Sequence, residues 1–463
     1  MLFYLFGFAK SGWVQTDKII HSDGNFFGRS IAFSSSSNRL VVGAPSENTQ
    51  GAIYFYNYNS GKLSEGSPKE YKPNNEGGRS KFGKFVSISS DGSFILASAD
   101  KTAAEEIMKC SISGETINTA SYDGPTPKQN VRSSTAISPD GKTIAYTYFT
   151  LPSEGKIKFS VKIKYSDQEP KIFELVEENY NDKFNYLPYI QFTSNTEIIF
   201  SSLSSSSVTD NAFYQISLTI ANGDISVTGQ KLTFSNSETQ NTKLIGGPIA
   251  FSSDQSVLFP FFGQTASDSS EYIPSGFYRF LKSNNQWSTK PNLTIKYPQA
   301  FLQTNSFSNH LASCGDYLIQ TDMYSNAAGK GNGAILIYSR SASNESYLLQ
   351  NVIFPPENDI KDRTYLKFGT SLAWKSDCSA FFVSAEAQSP TDPNQPAKNA
   401  YVYVFQNQDN NKETKNHADI IGPIFIGIIL IGCLAAMAAF FLYSIHKENE
   451  QKEQKEKEQA EKL

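Results

Sequence analysis

The sequence predicts an all-β protein built as a seven-bladed β-propeller. One observation is a repeat: "FFGRSIAFSSSSNRLVVGAP", which starts at Phe26, begins a pattern of two short apolar runs joined by a polar turn. A second observation is composition, since 34 Phe and 24 Tyr favour strands, and no run before the C-terminal region has a helical period. Repeated four-stranded units of this kind are typical of propeller blades.

The two-strand pattern occurs at intervals of roughly 50 to 60 residues. Its seven copies start near Phe26, Phe82, Ser134, Pro188, Gly247, Asn309 and Phe368. An Asp or Asn fills one aligned turn position in every copy except the first, which has Ser36; these residues are Asp91, Asp140, Asn195, Asp254, Asp316 and Asp377. Because Asx side chains bond their own backbone in tight hairpins, we interpret them as turn residues and not as metal ligands.

Each unit continues with a third and a fourth strand. Third strands are predicted at "GAIYFY" (Gly51), "GFYRFL" (Gly276), "GAILIY" (Gly333) and "AYVYVF" (Ala400), and a fourth follows in "KLSEGSPKEYK", "WSTKPNLTIKY" and "YLLQNVIF". The seventh unit stops after its third strand, whereas residues 13–20, "WVQTDKII", form a strand with no unit before them. We therefore predict that this N-terminal strand completes the last blade and closes a propeller domain over residues 12–406.

The first unit resembles the FG-GAP repeat of integrin α-subunit propellers. Phe27-Gly28 precedes Gly43-Ala44-Pro45 and the strand at Gly51, and Phe-Gly returns at Phe82 and Phe368. The remaining units match by pattern only. "AISPDGKTIAY" in the third unit also resembles the repeats of TolB-like and prolyl-peptidase propellers, so a second family with the same architecture stays open.

The resemblance implies an extracellular, ligand-binding propeller, but the chain departs from the integrin pattern. The calcium loop Asp-x-Asp-x-Asp-Gly is replaced by short turns with too few carboxylates to surround the ion, so we predict no metal and no cofactor. The membrane-proximal Gly-Phe-Phe-Lys-Arg is also missing, because Phe440-Phe441 is followed by "LYSIHK". No integrin β-subunit partner is inferred.

The C-terminal region predicts a membrane anchor. Residues 420–443 are apolar and uncharged, long enough at about 1.5 Å per residue to cross a hydrocarbon core of about 30 Å. They follow a linker at 407–419 and precede a charged cytoplasmic tail at 444–463, which predicts a single-pass type I protein of the plasma membrane. Residues 1–11 are predicted to be a signal peptide, and Asn292 and Asn344 lie in glycosylation sequons.

Residue types and motifs favour a protein that is not an enzyme. The chain has only four His, and it contains no GxSxG, CxxC, HExxH or Walker sequence. Cys110 and Cys314 are interpreted as small buried residues and not as nucleophiles. The formal charge of -4 gives no basis for binding nucleic acid.

Ligand binding is then expected on the face that carries the longest loops, at 263–275, 324–332 and 387–399. The predicted contact residues are Tyr272, Asp322, Tyr324 and Asp392. The function expected is adhesion or recognition through an extracellular protein or glycan ligand. Two alternatives stay open: an internal membrane protein of the secretory pathway, such as a cargo receptor or chaperone-like module, and an accessory subunit of a membrane complex.

Overall fold

The structure is a computed structural model of the 463-residue chain. It describes residues 12–22, 26–74, 78–101, 105–114, 116–123, 134–150, 156–166, 168–179, 189–201, 212–233, 243–245, 249–252, 256–264, 272–284, 286–288, 290–296, 310–323, 325, 331–340, 346–360, 366–386 and 399–408. Residue contacts divide the chain into Met1–Asn407 and Gln408–Leu463, and the strands described below all belong to the first unit.

The described strands begin with β1 (Trp13–His21). Blade one consists of β2 (Ile31–Ser34), β3 (Arg39–Ala44), β4 (Ala52–Asn59) and β5 (Lys62–Tyr71). Blade two consists of β6 (Val86–Ile88), β7 (Phe94–Asp100), β8 (Glu105–Ser113) and β9 (Thr116–Asp123). Blade three consists of β10 (Thr135–Ile137), β11 (Thr143–Thr150), β12 (Lys156–Tyr165) and β13 (Lys171–Asn179).

Blade four consists of β14 (Tyr189–Ser194), β15 (Glu197–Ser201), β16 (Ala212–Ala221) and β17 (Asp224–Thr233). Blade five contains β18 (Lys243–Ile245), β19 (Ala250–Phe251), β20 (Ser256–Gln264), β21 (Tyr272–Ser283), β22 (Gln286–Trp287) and β23 (Leu293–Lys296). Blade six consists of β24 (Leu311–Cys314), β25 (Tyr317–Asp322), β26 (Ala334–Arg340) and β27 (Tyr347–Ile353). Blade seven contains β28 (Phe368–Trp374), β29 (Ala380–Ala385) and β30 (Ala400–Asn407).

Two short helical turns accompany the strands, a 3-10 turn at Glu47–Thr49 and α1 at Glu357–Ile360. The pairing is antiparallel within every blade, and the predicted seven four-stranded blades are confirmed. Blade five differs from the other blades because each of its two edge strands is divided into two short strands. Strands β18 and β19 both pair with β20, and β22 and β23 both pair with β21.

The predicted closure of the ring is also confirmed. Strand β1 pairs with β30 from Trp13↔Asn407 to His21↔Ala400, so blade seven has the order β1-β30-β29-β28. The Trp13 side chain packs against Tyr317 of blade six and against Trp374 and Phe381 of blade seven. The first described strand therefore contributes to the hydrophobic interface between blades six and seven.

The hydrophobic core consists of seven clusters, each between consecutive blades. Alternation along a strand explains this arrangement, since neighbouring side chains point to opposite faces of a sheet. In β3, for example, Leu40 and Val42 pack with Phe382 of blade seven, while Val41 packs with Ile95 of blade two. Neither face of a blade is buried without its neighbour, so the ring folds as one domain.

Serine side chains join several first strands near the ring axis. In each case the hydroxyl oxygen of one blade accepts a hydrogen bond from the first-strand N–H of the next blade. The pairs are Ser371 with Ile31 at 3.1 Å, Ser30 with Val86 at 3.0 Å, and Ser134 with Ile190 at 3.3 Å. Ser30, Ser134 and Ser371 occupy equivalent positions of blades one, three and seven, so one residue of the repeat supplies a recurring link.

A disulfide connects blades six and seven, between Cys314 at the end of β24 and Cys378 in the turn before β29. Cys314 is buried, as predicted, but it is half of a disulfide and not the small apolar residue that the sequence suggested. Both cysteines lie close to the aligned turn position, beside Asp316 and Asp377, and consecutive blades bring these turns together. Cys110 is buried, as predicted, and burial raises the pKa of its thiol to about 12.

Among the helices that the structure describes, none has the length and apolar character needed to cross a membrane. The predicted signal peptide (1–11), most of the predicted linker (407–419), the predicted membrane segment (420–443) and the predicted tail (444–463) lie outside the described residues.

Replacing both bridge cysteines, Cys314→Ala with Cys378→Ala, is expected to lower the free energy of unfolding. The bridge closes a loop with a sequence separation of 64, for which loop entropy corresponds to about 4 kcal/mol. Guanidinium unfolding of the full chain measures the effect, and reduced wild type should match the double variant. Equal midpoints for oxidised wild type and the variant would contradict a stabilising role.

Candidate functional site

The top face is the side of the ring where the chain enters each first strand and leaves each second strand. Here the Phe-Gly segments of blades one, two and seven form one recurring turn. In blade one, Phe26 has a φ of 53° and Gly28 a φ of 84°, and the Arg29 N–H donates to the Phe26 carbonyl at 3.0 Å. Phe27 between them is fully buried. The turn therefore buries Phe27 between blades and places Arg29, the residue after Gly28, on the top face.

Blades two and seven repeat this geometry. Lys81 and Lys367 have φ values of 55° and 54°, and the N–H groups of Lys84 and Thr370 close the same turn. The turn needs close backbone contact: a Cβ on Gly43 at the end of β3 would lie 1.9 Å from the carbonyl oxygen of Gly83 in the blade-two turn. Small residues at these positions let consecutive blades approach each other.

Arg29 forms an ion pair across the boundary between blades seven and one. Its Nη1 donates to Oε2 of Glu386 at 2.6 Å, and the Glu386 side chain is fully buried. The backbone N–H of Glu386 donates to the Thr370 hydroxyl at 3.4 Å. The residue placed by the blade-one turn is thus fixed by a carboxylate of blade seven.

Blade two carries a denser set of ion pairs. Lys84 lies 3.2 Å from Asp100 and 3.4 Å from Glu105, and Lys81 lies 2.9 Å from Asp100. Burial acts to raise the pKa of Asp100, but the charges and hydrogen bonds of Lys84 and Lys81 outweigh it and hold this pKa below its usual value. Asp100 is therefore ionised at neutral pH and holds both lysines in place.

Glu106 is the most buried acid of this set that has more than one cationic partner. It accepts from Arg79 at 2.9 Å and pairs with Lys101 at 2.7 Å, while its own side chain is 1% exposed. Burial acts to raise the pKa of Glu106, but hydrogen bonds from Arg79 and Lys101 outweigh it and lower the pKa. One buried carboxylate thus organises two cations.

In this set of ion pairs, the acidic side chains are more buried than most of the cations. We call the five cations the basic patch: Arg29, Arg79, Lys81, Lys84 and Lys101. The acids that hold them have side-chain exposures of at most 16%. Lys81 is 61% exposed and Arg29, Lys84 and Lys101 lie between 26% and 30%, whereas Arg79 is buried at 6%. The five cations are paired with four carboxylates, Asp100, Glu105, Glu106 and Glu386, and the most exposed charged groups of this set are cationic.

Of the four residues predicted to contact a ligand, the structure describes two, and both lie in strands. Asp322 is the last residue of β25, where Thr321 and Asp322 extend the strand by pairing with Ile335 and Ala334. Its side chain is 2% exposed, so it is buried and not presented to a ligand. Tyr272 is the first residue of β21 and pairs with Gln264, so it too lies in a strand and not in a loop. Tyr324 and Asp392 lie outside the described residues.

The two sequons also differ. Asn292 is exposed in the bend before β23, where its N–H donates to the Arg279 carbonyl at 2.9 Å. Asn344 lies outside the described residues.

Asp91, Asp140 and Asp377 act in turns, as predicted, whereas Asp254 lies outside the described residues. Asp91 accepts from the Ser89 hydroxyl at 2.6 Å and from the Ser93 N–H at 3.0 Å, and Asp140 and Asp377 make equivalent bonds. Burial acts to raise the pKa of Asp91, but the bonds from Ser89 and Ser93 outweigh it and lower the pKa. Within the described part of the chain, no three His, Cys, Asp or Glu side chains are grouped to hold a metal ion.

No family model and no curated relative matches the sequence. Solved structures of similar fold include an oligogalacturonate lyase in complex with manganese, at 9% identity and a TM-score of 0.49, covering 87% of this chain and 95% of that chain. The periplasmic gluconolactonase PpgL of Pseudomonas aeruginosa has 11% identity and a TM-score of 0.45, with coverage of 70% and 85%. Sqt1 of Saccharomyces cerevisiae has 11% identity and a TM-score of 0.41, with coverage of 81% and 82%. At such identities the likeness concerns the fold alone.

The prediction that the protein is not an enzyme is wrong as it stands. Two of the structures named above are of a lyase and a gluconolactonase. A fold alone does not decide whether a protein is catalytic. The argument from missing motifs fails as well, because short motifs identify only some classes of enzyme, and catalytic roles are defined by geometry. Neither the fold nor the motif search excludes a catalytic activity.

Replacing Glu106 by Gln is expected to lower the free energy of unfolding at pH 7 by about 3 kcal/mol, because Arg79 would lose its charged partner in a buried position. The folded-state pKa of Glu106 is lowered, so its stabilisation is complete above the unfolded value of about 4.3 and is lost as pH falls through the folded value. Denaturant unfolding of both proteins at a series of pH values should show their difference shrinking below about pH 4. A difference that does not depend on pH would contradict the ionic role.

Proposed function

We propose that this protein is exported and anchored as a type I membrane protein, and that the top face of its FG-GAP-like propeller binds an extracellular protein or glycan. The observation that carries the ligand-binding proposal is the basic patch, in which four partly or fully exposed cations are held by buried carboxylates. Fixed charges on a rigid scaffold attract and orient a ligand of opposite charge. The expected ligand is therefore acidic.

Two features support export. The Cys314–Cys378 bridge belongs to a type of bond that persists in oxidising compartments and is rare in the cytosol. Asn292 is exposed in an Asn-Leu-Thr sequon, so an oligosaccharide attached to its side chain would extend into solvent. Both features suit the cell surface, and both also suit an internal compartment of the secretory pathway.

The Phe-Gly turns support the FG-GAP resemblance. In blades one, two and seven they have the same backbone geometry and the same buried Phe, and Gly43 of blade one touches the blade-two turn. The basic patch follows directly from two of these turns, since Arg29 and Lys84 are the residues after Phe-Gly.

The test uses the full chain, expressed with an N-terminal epitope after residue 11 and purified in detergent. Antibody staining of intact cells and an endoglycosidase shift measure export. Binding is measured on an array of acidic and neutral glycans and matrix proteins, with and without EDTA. The key variant is Lys81→Gln with Lys84→Gln, and the matched control is Lys62→Gln with Lys69→Gln, which removes two exposed lysines from β5.

We expect saturable binding to an acidic partner that survives EDTA and weakens at least about tenfold in the Lys81/Lys84 variant, with little change in the control. Staining only after permeabilisation would favour the internal alternative. Absence of binding by a folded, surface-exposed protein, or equal binding by both variants, would refute ligand recognition through the basic patch. Loss of binding in EDTA would refute the prediction of a metal-free site.

A further inference from the structure

The exposed apolar side chains of the described chain are concentrated on two consecutive blades. Six large apolar residues of the described part are at least 36% exposed, and five of them lie on or directly after the outer strands of blades six and seven. These five are Leu348 (54%), Leu349 (36%) and Phe354 (41%) of blade six, and Val14 (39%) and Ile20 (53%) of blade seven. The sixth, Ile172, belongs to β13 of blade three. Single exposed apolar residues are common, but their concentration on one side of a ring indicates a contact surface.

Three of these side chains lie at the lower face of the ring, which is opposite the top face. Every outer strand starts at this face, where the third strand of its blade ends. Val14 is the second residue of β1, and Leu348 and Leu349 are the second and third residues of β27. We call Val14, Leu348 and Leu349 the apolar rim.

The outer strands of the other blades start differently. Among the described residues, each starts with an exposed polar residue, and the apolar residue that follows is at least partly buried in four of the five blades. The polar residues are Lys62, Thr116, Lys171, Asp224 and Gln286, and the apolar residues that follow them are Leu63, Ile117, Ile172, Ile225 and Trp287. Ile172 of blade three is the exception, so exposed apolar residues at these strand starts lie mostly on blades six and seven.

The chain leaves the ring beside the apolar rim. Strand β30 ends at Asn407, which pairs with Trp13 of β1 and donates from its Nδ2 to the Tyr317 hydroxyl of blade six at 3.0 Å. The predicted membrane segment begins at residue 420, so residues 408–419 span at most roughly 40 Å. If the chain is anchored there, the lower ends of blades six and seven stay within that distance of the bilayer.

The two blades that carry the rim are also joined at the lower face. The Cys314–Cys378 bridge connects their lower turns. Trp13 packs against Tyr317 of blade six and Trp374 of blade seven, with ring centroids 5.4 and 5.5 Å apart. The three rim side chains therefore extend from one connected support, which lowers the ordering cost of a contact made by all three.

The charges at this face indicate which class of lipid suits it. Asp316 and Asp377 are 64% and 53% exposed, whereas their partners Arg340 and Lys375 are each 22% exposed. The more exposed charge of each pair is therefore negative, and anionic head groups would gain no attraction from it. A zwitterionic lipid surface that accepts apolar side chains fits this face better.

We propose that the apolar rim contacts the surface of the bilayer in which the chain is anchored, with zwitterionic lipid as its partner. Val14, Leu348 and Leu349 insert between the lipid head groups. Three side chains bury too little area for stable binding from solution, but the tether makes the contact intramolecular, at an effective concentration of about millimolar. The inference rests on the membrane anchor of the proposed function. It does not need the basic patch, which lies on the opposite face.

The test is the tryptophan fluorescence of the full chain in phosphatidylcholine nanodiscs, with and without bromine on the acyl chains near the head groups. All three tryptophans, Trp13, Trp287 and Trp374, belong to the ring, and the predicted membrane segment contains none. Because bromine quenches tryptophan at short range, quenching reports contact between the ring and lipid. Trp13 is the residue before Val14, so it lies beside the rim.

The informative variant is Leu348→Ser with Leu349→Ser. The matched control is Ile172→Ser, which removes the exposed apolar residue at the lower end of blade three. All three side chains are exposed, so both variants should keep the melting temperature of wild type. Resistance to alkaline carbonate extraction from liposomes of the same lipid measures the anchor separately.

We expect quenching in wild type and in Ile172→Ser, and at least about twofold less quenching in the Leu348/Leu349 variant. Quenching should be the same at low and high salt, and it should not increase when phosphatidylserine is added, because the contact is apolar.

Extraction of the chain by carbonate would refute the anchor, and the proposed contact with it. A carbonate-resistant, folded chain without quenching, or equal quenching in wild type and the Leu348/Leu349 variant, would refute the rim contact and leave the anchor intact. Quenching that needs phosphatidylserine and is abolished by salt would refute an apolar contact. Absence of quenching together with self-association that Leu348→Ser and Leu349→Ser abolish would assign the rim to a second copy of the chain and refute the lipid contact.

Discussion

The pairing of β1 with β30 is the constraint on which the rest of the structure depends. Every blade buries its two faces against its neighbours, so an open ring would leave blades one and seven each with an unburied apolar face. The N-terminal strand prevents this by supplying the outer strand of blade seven, whose Ile19 packs against the cluster between blades seven and one. Its Trp13 packs on the other side of the same blade, in the cluster between blades six and seven. The Cys314–Cys378 bridge reinforces the neighbouring interface.

The Phe-Gly turn connects the stability of the ring with its surface chemistry. Its Phe is buried between blades, its left-handed residues reverse the chain, and the residue after Gly reaches the top face. In blades one and two that residue is Arg29 or Lys84, and buried acids of blades seven and two hold these cations. A binding surface thus arises from the same local element that packs the blades, and it has the rigidity that fixed charges need.

Much of the fold was predictable because the repeat carries redundant signals. The two-strand pattern, the Asx turns and the unpaired first and last strands all agreed on seven blades closed by the N-terminus. The site was less predictable, because burial depends on contacts between blades that the spacing of one repeat does not reveal. Asp322 was expected to contact a ligand, but its strand continues through it and its side chain is buried.

Hydrogen–deuterium exchange of the full chain, resolved to the peptide that contains Trp13–His21, tests the closed ring most directly. If β1 completes blade seven, its hydrogen-bonded amides should exchange as slowly as those of Ala380–Ala385 in the middle of the same blade, and both should lose protection together on unfolding. Exchange of the N-terminal peptide at the rate of an unstructured chain, while Ala380–Ala385 stays protected, would contradict the account.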